Sequence, residues 1–258
     1  MRRIVLLALF LPLTATAEPL SPGLQSARLL PGWTDAEGNR VAALELRLEP
    51  GWKTYWRQPG DSGLPPSFDW SGSQNLADVT FHWPAPEAIR SGDALTLGYH
   101  DTLLLPFTAR PRDPAQALVL DAAVDFGLCE NICVPARVSL QAPAPAASRD
   151  PRIEAALADV PARLDARPAC RLSEIADGMR LSVDLPQAGA EVAAMEVIGR
   201  PEIWVSTSEL EARSGGSRAT ADFVPPAAAP FDLDTGAVRI TLIGPDGAVE
   251  MQGCDRQG

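Results

Sequence analysis

The chain has 258 residues with 22 basic and 33 acidic side chains, a formal charge of −11 at pH 7. That balance disfavours nucleic acid and anionic membrane surfaces as partners. Its 25 prolines and 20 glycines interrupt helical patterns and favour many short strands, in one or two domains.

The chain opens Met1-Arg-Arg, runs through apolar residues from Ile4 to Leu13 and reaches Ala15-Thr-Ala17. A basic start, an apolar middle and an Ala-x-Ala site describe a secretory signal peptide over residues 1–17, cleaved before Glu18. With glutamate rather than cysteine at 18, no lipid anchor is expected there. No later run approaches the ~18 apolar residues of a membrane span. The expectation is an exported protein with no membrane span of its own, in a compartment that permits disulfides.

Residues 24–48 read as strands: Leu44, Leu46 and Leu48 alternate with Glu45, Arg47 and Glu49, the period of a half-buried strand. The next stretch concentrates Trp52, Tyr55, Trp56, Phe68 and Trp70 among prolines, glycines and polar residues. It is either a long loop pinned to the core edge by its aromatics or a lid beside a functional site, since long ordered loops often carry function. Val79–Trp83 and Thr102–Phe107 are further strand candidates. The two histidines, His82 and His100, read as satisfied edge or surface residues rather than metal ligands.

Around Phe126-Gly-Leu-Cys129-Glu-Asn-Ile-Cys133-Val-Pro135 the alternation is longest. Leu118, Leu120, Ala122, Val124, Phe126 and Leu128 share one parity, and Asp121, Asp125 and Cys129 the other. Beyond the loop, Val134, Ala136, Val138 and Leu140 share a parity opposed to that of Cys133, Arg137, Ser139 and Gln141. The pattern predicts two strands joined at Glu130-Asn-Ile132, with both sulfurs on the accessible face away from the core. Residues flanking such a loop lie roughly 4.5–5.5 Å apart at Cα, and a disulfide spans about 4.4–6.8 Å. So small a ring stabilises by only about 2 kcal/mol in the loop-closure picture, which suits electron exchange better than stapling. A plain hairpin disulfide is the competing interpretation. No lysine or histidine is near in sequence to lower a thiol pKa, and Glu130 would raise it. Which cysteine attacks is therefore open.

A proline-alanine bridge, Ala142-Pro-Ala-Pro-Ala-Ala-Ser148, follows. Asp150 as N-cap and Pro151 at the first position start a short helix, in which Ile153, Ala156, Leu157, Val160 and Leu164 keep helical spacing and which Pro161 can cut short. A second β pattern then runs through Met179–Leu185, Glu202–Val205, Val238–Leu242 and Val249–Met251. Four cysteines allow three pairings. Proximity joins Cys129 to Cys133 and leaves Cys170 with Cys254. The longer ring, about 85 residues, would contribute roughly 4–5 kcal/mol as a structural staple.

In order along the chain, Gly51-Trp-Lys-Thr-Tyr-Trp-Arg-Gln-Pro-Gly-Asp-Ser-Gly-Leu-Pro-Pro66, Trp83-Pro-Ala-Pro86, Gly98-Tyr99 and Cys129-Glu-Asn-Ile-Cys-Val-Pro135 resemble the periplasmic N-terminal domain of the DsbD thiol:disulfide interchange family. The likeness is greatest to its branch containing ScsB, the suppressor of copper sensitivity. The resemblance implies an immunoglobulin-like β-sandwich in which Cys129 and Cys133 are the redox pair. It also implies an aromatic cap loop, for which Trp52, Tyr55, Trp56, Phe68 and Trp70 are candidates. The implied partners are a transmembrane reductase of the DsbD or CcdA type and periplasmic thioredoxin-like proteins. Well-known DsbD members have a longer gap between their cysteines and continue into a membrane reductase, so this chain would draw electrons from a separate protein.

The expected architecture is all-β: two β-sandwich domains, the first immunoglobulin-like. Residues 18–141 form the first domain, 142–165 the linker and short helix, and 166–258 the second domain. The expected function is periplasmic thiol:disulfide exchange, with no cofactor and no metal. Two other readings compete with it. One is a copper-tolerance module holding Cu(I) between Cys129 and Cys133, although Met179, Met195 and Met251 form no cluster. The other is a scaffold with structural disulfides only.

Overall fold

The structure, a computed structural model, describes residues 21–257 apart from 62, 93, 186–188 and 246; the expected signal peptide lies outside the described residues. The first half contains β1 (Leu24–Thr34), β2 (Arg40–Leu48), β3 (Lys53–Tyr55), β4 (Ser67–Asp69), β5 (Leu76–Phe81), β6 (Glu87–Ser91), β7 (Ala94–His100), β8 (Thr102–Pro111), β9 (Asp121–Cys129) and β10 (Cys133–Gln141). They build two sheets, ordered β1-β2-β8-β5 and β10-β9-β3-β7-β6, with β4 also paired to β9. The inward parity of each sheet meets in one core, with Leu44, Leu46 and Phe107 from one side and Val124, Phe126 and Leu128 from the other.

Helix α1 (Pro151–Ala158) begins where Asp150 accepts a hydrogen bond from the Arg152 N–H. Beyond it come β11 (Ala162–Arg163), β12 (Ala169–Ile175), β13 (Gly178–Leu185), β14 (Val192–Val197), β15 (Trp204–Val205), β16 (Glu209–Arg213), β17 (Gly216–Val224), β18 (Val238–Gly244), β19 (Gly247–Gln252) and β20 (Asp255–Arg256). These strands form sheets ordered β11-β19-β18-β14 and β15-β17-β13-β12-β20, with β16 also on β17. They close a second core around Leu181, Val183, Met195, Phe223 and Ile240. The chain is all-β, in two sandwiches.

The connecting segment is bound to the first sandwich. Buried Arg40 donates to the carbonyls of Pro31 and Pro143, and the Ala146 N–H reaches the Gly32 carbonyl. Ile153 of α1 is fully buried with Leu30, Trp33, Val41 and Ala43, so the helix covers the outer face of β1 and β2. Glu45 sits on that face, buried, and is paired with Arg28 and with Arg152 of the helix. The sandwiches also meet directly. Strand β14 is buried on both sides because Ala193 and Met195 enter the second core while Val192 and Ala194 join the first.

Candidate redox site

Strands β9 and β10 form an antiparallel hairpin in which Cys129 faces Cys133, Gly127 faces Pro135 and Asp125 faces Arg137. The two cysteines are disulfide-bonded, with Cα atoms 4.1 Å apart. Their exposures differ. Cys133 is exposed because β10 is the edge of its sheet, whereas Cys129 is only 6 % exposed. The expectation of two accessible sulfurs is corrected here: one is covered by what lies beside and above it.

Lys53 of β3 stands directly opposite Cys129, and His100 of β7 stands opposite Lys53. Opposed residues share a face of the sheet, so Cys133, Cys129, Lys53 and His100 form a row across four strands. Lys53 is buried, and its ammonium donates to Ser91 Oγ at 3.1 Å. The ammonium thus meets the last residue of β6. His100 Nδ1 lies 2.8 Å from a Glu87 carboxylate oxygen.

Tyr55 shares the parity of Lys53 and reaches the disulfide from above, its hydroxyl 3.1 Å from Cys133 Sγ. A disulfide sulfur carries no proton, so the phenol is the donor. Burial raises the Tyr55 pKa and keeps that proton in place at neutral pH. The ring rests on Gly127, where a Cβ would come within 2.8 Å of Tyr55 Cε2 and of Leu64 Cβ. Glycine is required there by the close approach of two side chains.

The other proposed cap residues lie elsewhere. Trp56, next to Tyr55, takes the opposite face and is buried in the core. Phe68 faces Val124 on β9, five residues and roughly 16 Å of strand from Cys129, with its ring 4.1 Å from that of Phe81. Trp70 packs against Phe107 at 5.2 Å. Trp52 lies against Gly23. Of the five aromatics, Tyr55 is the one that contacts the disulfide. Lys53, Leu64 and Gly127 were missed by the sequence reading. The Lys53-x-Tyr55 spacing puts these two on one strand face, but it does not say that the face is that of Cys129.

Two exposed apolar side chains lie near the pair, Ile132 next to Cys133 in the chain and Leu64 over Gly127. Ile132 is 75 % exposed and Leu64 48 %; with Trp204 they are the exposed large hydrophobics among the described residues. The second disulfide, Cys170–Cys254, has both cysteines 1 % exposed in the second core, near the parallel pairing of β12 with β20. His82 is satisfied by Thr108 Oγ1 at 2.8 Å. Among the described residues no group of three or more His, Cys, Asp or Glu side chains could hold a metal ion. Nor is any described helix long and apolar enough to cross a membrane.

Residues 26–145 match the family model described as "Thiol:disulfide interchange protein DsbD, N-terminal". No curated protein matches the chain. Among solved structures, the N-terminal periplasmic domain of ScsB from Proteus mirabilis is similar at a TM-score of 0.66 and 23% identity, over 90% of this chain and 92% of that one. The first sandwich is thus similar to the DsbD N-terminal domains over residues 26–145, and the pair of sandwiches shares the fold of the ScsB domain.

Proposed function

We propose that the chain is a periplasmic thiol:disulfide exchange protein that relays two electrons through Cys129 and Cys133. The observation that carries this reading is the asymmetry of the pair: Cys133 exposed at a sheet edge next to Ile132, Cys129 covered beside Lys53. The family match over the first sandwich and the periplasmic origin of the similar ScsB domain support it, as does the signal-like start of the sequence.

In the reduced protein the Cys133 thiolate attacks a sulfur of the partner's disulfide, giving a mixed disulfide and one partner thiolate. Cys129 then attacks Cys133 Sγ, closes the internal bond and releases the second partner thiolate. The partner gains two electrons and the pair is oxidised. A transmembrane reductase of the DsbD or CcdA type restores the dithiol, and thioredoxin-like periplasmic proteins are the acceptors. Tyr55 donates to the charge at Cys133, and the Lys53 ammonium favours thiolate at Cys129. The exposed apolar Ile132 and Leu64 give the partner a surface to desolvate near the reacting sulfurs.

The test is a trap. Cys129→Ser should accumulate a reductant-sensitive adduct with a membrane reductase or thioredoxin-like protein in cells, because the attacker remains and the resolver is gone. Cys133→Ser should accumulate none. If neither variant captures such a partner, the relay reading is wrong.

A further inference from the structure

Both sandwiches interrupt a strand at the same kind of place. Strands β3 and β4 share one edge of β9: β3 reaches Leu128 and β4 resumes at Asp125. The chain from Trp56 to Pro66 is thus an excursion that leaves and returns within a few residues. Strands β15 and β16 likewise share an edge of β17, with Ser206–Ser208 as the excursion between them. The two excursions meet. The Asp61 N–H donates to Thr207 Oγ1 at 3.2 Å, and the Thr207 N–H donates to Asp61 Oδ1 at 2.6 Å. Gln58 Nε2 donates to the Val205 carbonyl at 3.0 Å. Arg57, mostly buried, bonds Glu196 and Glu250 of the second sandwich at 2.7 Å each.

The same excursion is fixed at its other end to the redox pair. Tyr55 immediately precedes it and touches Cys133. Gly63 and Leu64 close it against Tyr55 and Gly127. We infer that the second sandwich is a brace for the cover of the disulfide, with Arg57 and Thr207 as positioning residues that set how often Tyr55 lifts from Cys133 and Leu64 from Gly127. Charge-assisted bonds between mostly buried groups are among the stronger polar contacts. Those at Arg57 join parts of the chain 139 and 193 residues apart. Access to a locally covered group follows the free energy of opening its cover, so weakening the brace raises access without changing the cysteines. This inference rests on the exchange reading for the importance of Cys133, but its measurement does not depend on any protein partner.

The experiment follows the rate at which dithiothreitol reduces each disulfide of the full chain, by alkylation and mass mapping. Arg57→Ala should speed opening of Cys129–Cys133 on the order of tenfold, as expected when a local opening loses its main restraints. Thr207→Ala should speed it a few-fold and Arg57→Lys less than Arg57→Ala, while the Cys170–Cys254 rate stays at the wild-type value. Should Arg57→Ala fail to fold, Thr207→Ala decides alone. Wild-type rates for Cys129–Cys133 in the folded variants overturn the brace. A faster rate with no protein adduct in the trapping experiment leaves the brace standing and removes the relay.

Discussion

The two disulfides are the same bond put in opposite settings. Cys129 and Cys133 are four residues apart at the end of a hairpin, with one sulfur at a sheet edge. Cys170 and Cys254 are 84 residues apart and both sit inside a core. Loop-closure entropy makes the long ring worth roughly 4–5 kcal/mol and the short one about 2. Burial adds a second distinction, since an attacking thiolate must reach a sulfur in line. The lesson is that register and strand position, more than the cysteines themselves, decide whether a disulfide holds a fold or can take part in exchange.

The largest expected effect comes from removing the long ring. Cys170→Ala with Cys254→Ala should cost about 4 kcal/mol in denaturant unfolding, and Cys129→Ala with Cys133→Ala about 2 or less. Equal costs would dissolve the contrast. Stepwise reduction sharpens it further: mild reductant should release Cys129 and Cys133 to alkylation while Cys170 and Cys254 remain bonded. Labelling in the reverse order would exchange the two roles.

A smaller effect is expected from the cover. Gly127→Ala places a methyl 2.8 Å from Tyr55 and Leu64, so both must move, and reduction of the short disulfide should accelerate several-fold. Tyr55→Phe keeps the ring and removes the donor to Cys133. It should alter the exchange rate while changing stability by only about 1 kcal/mol, the usual net worth of one hydrogen bond.

How far these features could be read from sequence depended on distance along the chain. The parity of Leu118 to Leu128 and of Val134 to Leu140 gave the hairpin, its three-residue loop and the facing cysteines, because all of that information is local. The all-β class followed from the same periodicity. Lys53 escaped because its place beside Cys129 is a cross-strand relation spanning 76 positions, and no spacing rule carries that. The aromatic stretch was noticed but not resolved: Tyr55 and Trp56 are adjacent residues on opposite faces, one at the disulfide and one in the core. Nothing local marks Arg57, since its carboxylate partners Glu196 and Glu250 belong to the second sandwich. The proline-alanine bridge looked free in composition, yet Arg40 and Gly32 hold it down.

The smallest effect contrasts the sandwiches by pH. Burial pushes the Glu45 carboxyl up, but hydrogen bonds and charge from Arg28 and Arg47 outweigh it and hold the pKa below its ordinary value. A depressed carboxylate pKa contributes stability that is complete above the unfolded value and is lost as pH falls through the folded one. Acid should therefore loosen α1 from the first sandwich only below the usual carboxylate range, seen as faster amide exchange at Ile153. Glu45→Gln should abolish that pH dependence. Were it unchanged, another group would be responsible.

Strand β3 is three residues long, yet it lies between β9 and β7. From Lys53 to Trp56, one residue past β3, the chain delivers side chains alternately to the redox face and the core. A single residue inserted or deleted between Trp52 and Lys53, with pairing retained, would turn Lys53 and Tyr55 inward and put Thr54 and Trp56 beside the sulfurs. From Gly63 to Pro66 no such parity applies, because the chain there pairs with no strand. Changes of length are thus forbidden in β3 and permitted just before β4. Anyone grafting a new loop to recruit a different partner should cut after Leu64 and leave Lys53 to Leu64 whole.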